Sequence, residues 1–146
     1  MAIIETYRGT GHILIKIVGT SMLPLLRHGS SARVELCSFE DMRPGDLAVF
    51  KNEGGEFVCH RVFEKHRQGE EWFLKTKGDA LFYFDPFVKK ESFVGKLTIV
   101  NIGFFRVNVD NFLCRLLGLG LGCIVPFIVR PISKLKYALR SIWTTI

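Results

Sequence analysis

The chain has 146 residues and a formal net charge of +6, and apolar residues make up 48% of it. This length suits one domain with a sizeable core and is short for two, while the apolar content excludes disorder of the whole chain. The positive charge suits anionic lipid or nucleic acid, but no basic motif is interleaved with aromatic residues, so nucleic-acid binding is not expected. The net charge lies largely in the last third of the chain, which favours a lipid surface.

The stretch from residue 13 to residue 24 predicts a strand, a sharp turn and a short helix. Residues 13–18 are almost all apolar, and Gly19 lets the backbone turn where a Cβ would clash. Pro24 suits the opening turn of a helix, because its fixed φ and missing N–H cost nothing there. Between them, Ser21 is a preferred N-cap residue, and its hydroxyl would also lie beside free N–H groups that could receive an oxyanion. The stretch alone leaves both roles open.

The middle of the chain predicts short strands. Alternating or short apolar runs place them at residues 32–36, 47–50, 56–63, 72–77 and 93–102, the last of which ends the predicted sheet. In residues 56–63, Val58, His60 and Val62 share one face, a pattern typical of a core histidine or, next to a serine, of a general base. Five to seven short strands with one helical turn predict a mainly β fold.

Cysteines and histidines give no sign of a metal site. The four cysteines have no C-x-x-C spacing, and although Cys59 adjoins His60, no second ligand pair at zinc spacing accompanies them. We therefore predict buried free thiols, no metal and no other cofactor.

The last part of the chain, residues 104–146, differs in character from the rest. Residues 112–129 carry one charge, Arg115, but their glycines and Pro126 make a membrane span less favourable than a leucine run would. Basic residues then accompany apolar residues at helical spacing; they are Arg130, Lys134, Lys136 and Arg140. We expect a helical tail that lies in a membrane interface rather than spanning it, with packing on the protein's own surface as the alternative.

Four motifs occur in order along the chain: Ser21-Met22-Leu23-Pro24, Gly45-Asp46-Leu47-Ala48-Val49-Phe50, His60-Arg61-Val62 and Lys77-Gly78-Asp79. Together they resemble the boxes of the type I signal peptidase superfamily, over roughly residues 13–100. The resemblance is nearest to the endoplasmic-reticulum, archaeal and sporulation-type branch, which uses Ser and His where the common bacterial branch uses Ser and Lys. The chain departs from the family where Ser30 and Ser31 stand at the place of a usual Asp, and residues 1–20 predict no membrane anchor before the serine.

The resemblance implies a signal-peptidase/LexA-like folded β-sheet domain in residues 1–103 and a serine endopeptidase activity. It implies that Ser21 attacks the scissile carbonyl and that His60 takes its proton. Either Asp85 or Asp79 would orient His60, and Asp85 is favoured because His-using relatives carry their third triad member six positions after the Asp of the Lys-Gly-Asp box.

An oxyanion site is also implied by the resemblance, with the backbone N–H of Ser21 as a donor. Many relatives carry a hydroxyl two residues before the nucleophile, but that position is Gly19 in this chain. A backbone N–H would then suffice, or Thr20 would assist. The substrate would be an extended peptide or protein segment with a small residue before the cut.

Two other functions are considered. A self-cleaving repressor-like domain uses Ser and Lys and needs a cleavable linker, whereas only twenty residues precede Ser21. A non-catalytic peptide-binding module at a membrane surface would accommodate the departures at Gly19 and Ser30. The expected partners are a peptide or protein substrate and an anionic membrane surface, and the expected location is the membrane, or the cytoplasm if the tail does not bind lipid.

Overall fold

A computed structural model describes residues 2–3 and 11–143, with side chains for residues 11–128. The described chain forms an antiparallel sheet followed by one long helix, which confirms the prediction of a mainly β fold. The strands are β1 (Ala2–Ile3), β2 (His12–Ile17), β3 (Ser31–Glu35), β4 (Leu47–Lys51), β5 (Phe57–Gln68), β6 (Glu71–Lys77), β7 (Val88–Lys89), β8 (Phe93–Ile102) and β9 (Phe105–Asn108), and the helix is α1 (Phe112–Trp143). Two single 3₁₀ turns lie at Phe39–Asp41 and Lys90–Ser92.

The sheet order brings the motif-bearing strands together. Its strands follow one another as β1-β2-β3-β8-β4-β5-β6-β7, and β9 pairs with β8. In this register His60 on β5 lies opposite Ala48 on β4, and Arg61 lies opposite Leu47 and Lys77 on its two neighbouring strands. Three of the four motifs therefore meet across adjacent strands.

Two apolar clusters stabilise the sheet, one on each side of β4 and β5. Val49 and Cys59 belong to the first cluster, and Phe50 and Val62 belong to the second. This division follows the period-two alternation of the strands, because successive side chains point to opposite faces. The alternation predicted for residues 56–63 is confirmed, and it places His60 on the side of the second cluster, with the Phe50 ring edge-on to its imidazole.

Several predicted elements differ in detail from the structure. After Ser21 the chain forms hydrogen-bonded turns and no helix, and the Ser21 carbonyl accepts a long-range bond from the Ala80 N–H at 2.8 Å in place of a helical one. Strands β7 and β9 were not predicted. Strand β9 follows residues 93–102, the last strand that the sequence predicted, and β7 has only two residues, too few for a periodic pattern. Of the four cysteines, which are all free, only Cys59 is buried, so the prediction of buried thiols is wrong for the other three.

Helix α1 packs on the sheet through its smallest side chains. A Cβ on Gly118 would overlap the Arg61 guanidinium, and one on Gly122 would lie 2.9 Å from the Phe63 ring. The Lys77 ammonium donates to the Gly122 carbonyl at 2.6 Å. That carbonyl lacks its usual helical donor because Pro126, four residues on, has no N–H.

Ion pairs fix the first turns of α1. The Arg115 guanidinium contacts Asp46 at 2.6 Å and also pairs with Asp110, which in turn bonds Lys96. Partial burial would raise the pKa of Asp110, but its hydrogen bonds with Lys96 and Arg115 outweigh that effect and lower it. Within the described residues, we find no helix of the length and apolar character needed to cross a membrane. The side chains of Arg130, Lys134, Lys136 and Arg140 lie outside the described part, and the division of the chain after residue 103 stays a prediction.

Candidate active site

Ser21 lies at the turn that follows β2, and the Lys-Gly-Asp motif holds it in place. Gly19 has a φ of 103°, a conformation that suits glycine and lets the chain leave the strand sharply. The Ser21 carbonyl accepts the Ala80 N–H, and a Cβ on Gly78 would come within 2.7 Å of the same carbonyl oxygen. Gly78 is thus required by close backbone approach, and the motif supports the serine from behind.

Ser21, His60 and Asp85 form one chain of hydrogen bonds. The Ser21 hydroxyl lies 3.1 Å from His60 Nε2, and Asp85 Oδ2 lies 2.7 Å from His60 Nδ1. A carboxylate oxygen accepts, so Nδ1 carries the proton and Nε2 is left to accept from the serine. His60 is only 6% exposed, which limits competition from water. This arrangement can transfer the Ser21 proton to the imidazole.

Thr76 is a further member of this site that the sequence analysis did not single out. Its hydroxyl donates to Asp85 Oδ2 at 2.7 Å, and its carbonyl accepts the Asp85 N–H at 2.9 Å. These two bonds hold the carboxylate toward His60. The signal in the sequence was weak, since Thr76 directly precedes the Lys-Gly-Asp motif but nothing local showed that its hydroxyl would be buried and would need a partner.

Asp79 occupies a different position from Asp85. Its two carboxylate oxygens accept from Arg61 Nε at 2.8 Å and Nη2 at 2.6 Å. Both side chains are almost fully buried, and Arg61 Nη1 also donates to the Gly45 carbonyl at 2.8 Å. The structure therefore places Asp85, and not Asp79, against His60, while Arg61, through its bonds to Asp79 and to the Gly45 carbonyl, links three of the motifs.

The residues predicted to donate to the oxyanion, Gly19, Thr20 and Ser21, differ in whether their donor groups already have hydrogen-bond partners. The Gly19 N–H points to His28 Nδ1 at 3.4 Å, and the Thr20 side chain is exposed. Among the described residues, no acceptor is hydrogen-bonded to the backbone N–H of Ser21. This N–H is therefore free to donate to a ligand at the serine.

Two depressions adjoin the site. An open, largely apolar groove of about 590 Å³ has His60, Asp85, Phe50 and Tyr83 among its lining residues. A much smaller pocket of about 10 Å³ adjoins Ser21 itself, and its lining includes Ile17, Val18, Gly19, Met22, Leu26 and Cys59. The small pocket has room for about one water molecule or a methyl group.

The thiol that adjoins this site is not in a nucleophilic state. No group of three or more His, Cys, Asp or Glu side chains in the described part of the chain could hold a metal ion. Burial raises the pKa of the nearby Cys59 thiol to about 12, so the thiol is protonated and a poor nucleophile. Ser21 is the nucleophilic group that contacts a base.

The fold and this arrangement are those of a peptidase-like β domain, and comparison with known proteins agrees. Residues 2–95 match the profile of the family described as Peptidase S24-like, and the chain belongs to that family. The matched region contains Ser21, His60, Asp79 and Asp85 and ends before α1.

A curated relative is Signal peptidase I W of Bacillus subtilis (strain 168). It is 31% identical over 70 residues, which cover 47% of this chain and 37% of the relative. The aligned region therefore spans little more than a third of that relative's length. No solved structure matches the chain.

Proposed function

We propose that the protein is a serine endopeptidase that cleaves an extended peptide after a small residue, with Ser21, His60 and Asp85 as its catalytic residues. The observation that carries the proposal is the continuous hydrogen-bonded chain from the Ser21 hydroxyl through His60 to Asp85. A serine that merely caps a turn has no need of an imidazole whose second nitrogen is held by a carboxylate. Membership in the Peptidase S24-like family supports the same class of reaction.

In the proposed mechanism, Ser21 Oγ attacks the scissile carbonyl carbon while His60 Nε2 accepts the hydroxyl proton. The new oxyanion accepts a hydrogen bond from the Ser21 N–H, and removing one such donor from an enzyme typically costs about 3 kcal/mol of transition-state stabilisation. His60 then gives the proton to the leaving amine, and a water molecule hydrolyses the acyl-enzyme by the reverse sequence of proton transfers. Asp85 stays ionised and stabilises the imidazolium.

The surroundings of Ser21 support a small residue on the acyl side of the cut. The pocket beside Ser21 holds about 10 Å³, which suits the side chain of alanine or the hydrogen of glycine. Main-chain pairing would supply most of the affinity for an extended substrate, while shallow pockets would select side chains. The larger groove beside His60 would accommodate bulkier parts of the peptide.

A serine-directed probe tests this proposal. An alanine-based peptidyl phosphonate should modify the intact chain at Ser21, as read by mass spectrometry of the digested protein, because His60 activates the hydroxyl. Modification should be lost in Ser21→Ala, strongly slowed in His60→Ala and unchanged in Ser31→Ala, an exposed serine at the start of β3. Equal modification rates in the original and His60→Ala proteins would contradict a His60-assisted nucleophile and favour a non-catalytic peptide-binding role.

A further inference from the structure

Helix α1 carries most of its large apolar side chains on the face that points away from the protein. Its buried positions, within the part whose side chains are described, are Gly118, Gly122, Val125 and Pro126, none of which carries a large side chain. We define the outward face of α1 by its exposed apolar residues Leu113, Leu116, Leu117, Leu121, Ile124 and Phe127, which are 45–69% exposed. This distribution is the reverse of the one expected for a helix that covers a core and faces water.

Specific contacts hold the outward face in this orientation. The Lys77 ammonium is bonded to the Gly122 carbonyl, the one that Pro126 leaves without a helical donor. Gly118 allows the helix to lie directly on the Arg61 guanidinium, and Arg115 is paired with Asp46. If the helix were rotated to bury its leucines, these contacts would break. A leucine side chain would then also press on the buried ion pair of Arg61 and Asp79. The apolar face is therefore directed outward by the fold.

The exposed apolar surface extends to the loop that carries Asp85. The Phe127 ring packs edge-on against the Phe82 ring, with 5.0 Å between their centroids. Phe82 is 41% exposed, and the neighbouring Tyr83 is 67% exposed. An apolar surface of this extent marks an interaction site on a protein surface. Its edge lies within three residues of the acid that contacts His60.

The charge of the same segment identifies the partner's chemistry. From residue 111 to residue 146 the chain contains no Asp or Glu, but it contains five basic residues: Arg115, Arg130, Lys134, Lys136 and Arg140. All except Arg115 come after the described part of the outward face and within the bounds of α1. A helix with an apolar face and only basic charges is complementary to acyl chains beneath anionic headgroups.

We propose that the outward face of α1, together with Phe82 and Tyr83, binds the surface of an anionic lipid bilayer. The helix lies in the interface plane with its leucines among the acyl chains. Bound in this way, the protein holds the Asp85 loop at the lipid surface, so peptides close to a membrane are the ones within its reach. The lipid binding is argued from the helix and its charges alone, whereas the reach toward peptides rests on the proposed peptidase function.

Vesicle flotation with the full chain tests this proposal. The protein should float with vesicles of phosphatidylcholine and phosphatidylglycerol, and more weakly with phosphatidylcholine alone. Leu117→Glu should lower the apparent affinity at least about tenfold, since a charge replaces a leucine that lies among the acyl chains in the bound state. The matched control is Leu36→Glu, because Leu36 is 53% exposed, Leu117 is 55% exposed, and Leu36 lies just after β3. The control should bind as the original does, with unchanged circular dichroism in both variants.

Three results would overturn the proposal. One is the absence of flotation with either vesicle type. Another is an equal loss of binding in Leu117→Glu and Leu36→Glu, which would show that any exposed charge interferes. The third is a concentration-dependent dimer that Leu117→Glu dissociates while lipid leaves the chain unbound, which would show that a second copy covers this face.

Discussion

Replacing Asp79 and Asp85 by asparagine, one at a time, should separate a structural carboxylate from the one that faces His60. The side chains of Arg61 and Asp79 are 3% and 2% exposed, so Asp79→Asn leaves a buried guanidinium without its counter-charge and turns an amide donor toward it. Breaking a buried pair from one side costs about 3–5 kcal/mol. At about 3 °C per kcal/mol for a domain of this size, the melting temperature should fall by about 10–15 °C.

Asp85→Asn should have the opposite profile. Its side chain is 14% exposed, and an asparagine oxygen can still accept the Thr76 hydroxyl, so the free energy of unfolding should change by about 1 kcal/mol or less. Asparagine can, however, present its amide N–H₂ to His60 Nδ1 and favour the wrong tautomer. In a serine protease triad such a change lowers turnover by about 10⁴-fold.

The assay measures two quantities for each variant: the melting temperature by calorimetry and the rate of cleavage of a peptide that the original protein cuts. Rates are compared at a temperature where Asp79→Asn is still folded. The reasoning is refuted if folded Asp79→Asn is inactive while Asp85→Asn cleaves at the original rate. It also fails if Asp85→Asn is the variant with the large loss of stability.

Three further experiments test the contacts and the burial of residues around the site. Gly78→Ala should slow cleavage and lower stability by about 1–3 kcal/mol, because the added Cβ would press on the Ser21 carbonyl; original kinetics in this variant would refute the close approach. Native iodoacetamide labelling should modify exposed Cys123 and spare Cys59, whose pKa burial raises to about 12, until denaturant is added; early modification of Cys59 would contradict its burial. Lys77→Met should lower the free energy of unfolding by about 1–3 kcal/mol in denaturant titrations, since it removes the donor to a buried helix carbonyl, and an unchanged midpoint would show that water replaces it.

The sheet was largely predictable from the sequence because its strands carry a period-two pattern. The predicted strand at residues 93–102 coincides with β8, and Val58, Cys59 and Val62 lie on the faces that their alternation indicated. The turn after Ser21 was not predictable in the same way. It includes a bond from the Ala80 N–H, which lies fifty-nine positions along the chain and leaves no local pattern.

The packing of the tail shows a second limit of the sequence. Its glycines and Pro126 counted as features unfavourable to a membrane span, and nothing local indicated that Gly118 would lie against Arg61 or that Lys77 would bond Gly122. These are contacts between segments more than forty residues apart, and such contacts leave no local pattern in the sequence. The candidate site was easier to anticipate, since four short motifs in order carried a resemblance that periodicity alone lacks.

Cleavage by the single and double variants of Ser21 and His60 tests the central claim most directly. A peptide library with varied residues is incubated with the original protein, and mass spectrometry identifies a peptide that is cut together with its cleavage position. For that peptide, Ser21→Ala and His60→Ala should each reduce the rate to background, and the double variant should be no slower than either, because the two residues act in one step. Retained cleavage in Ser21→Ala, or strictly additive losses in the double variant, would contradict the account.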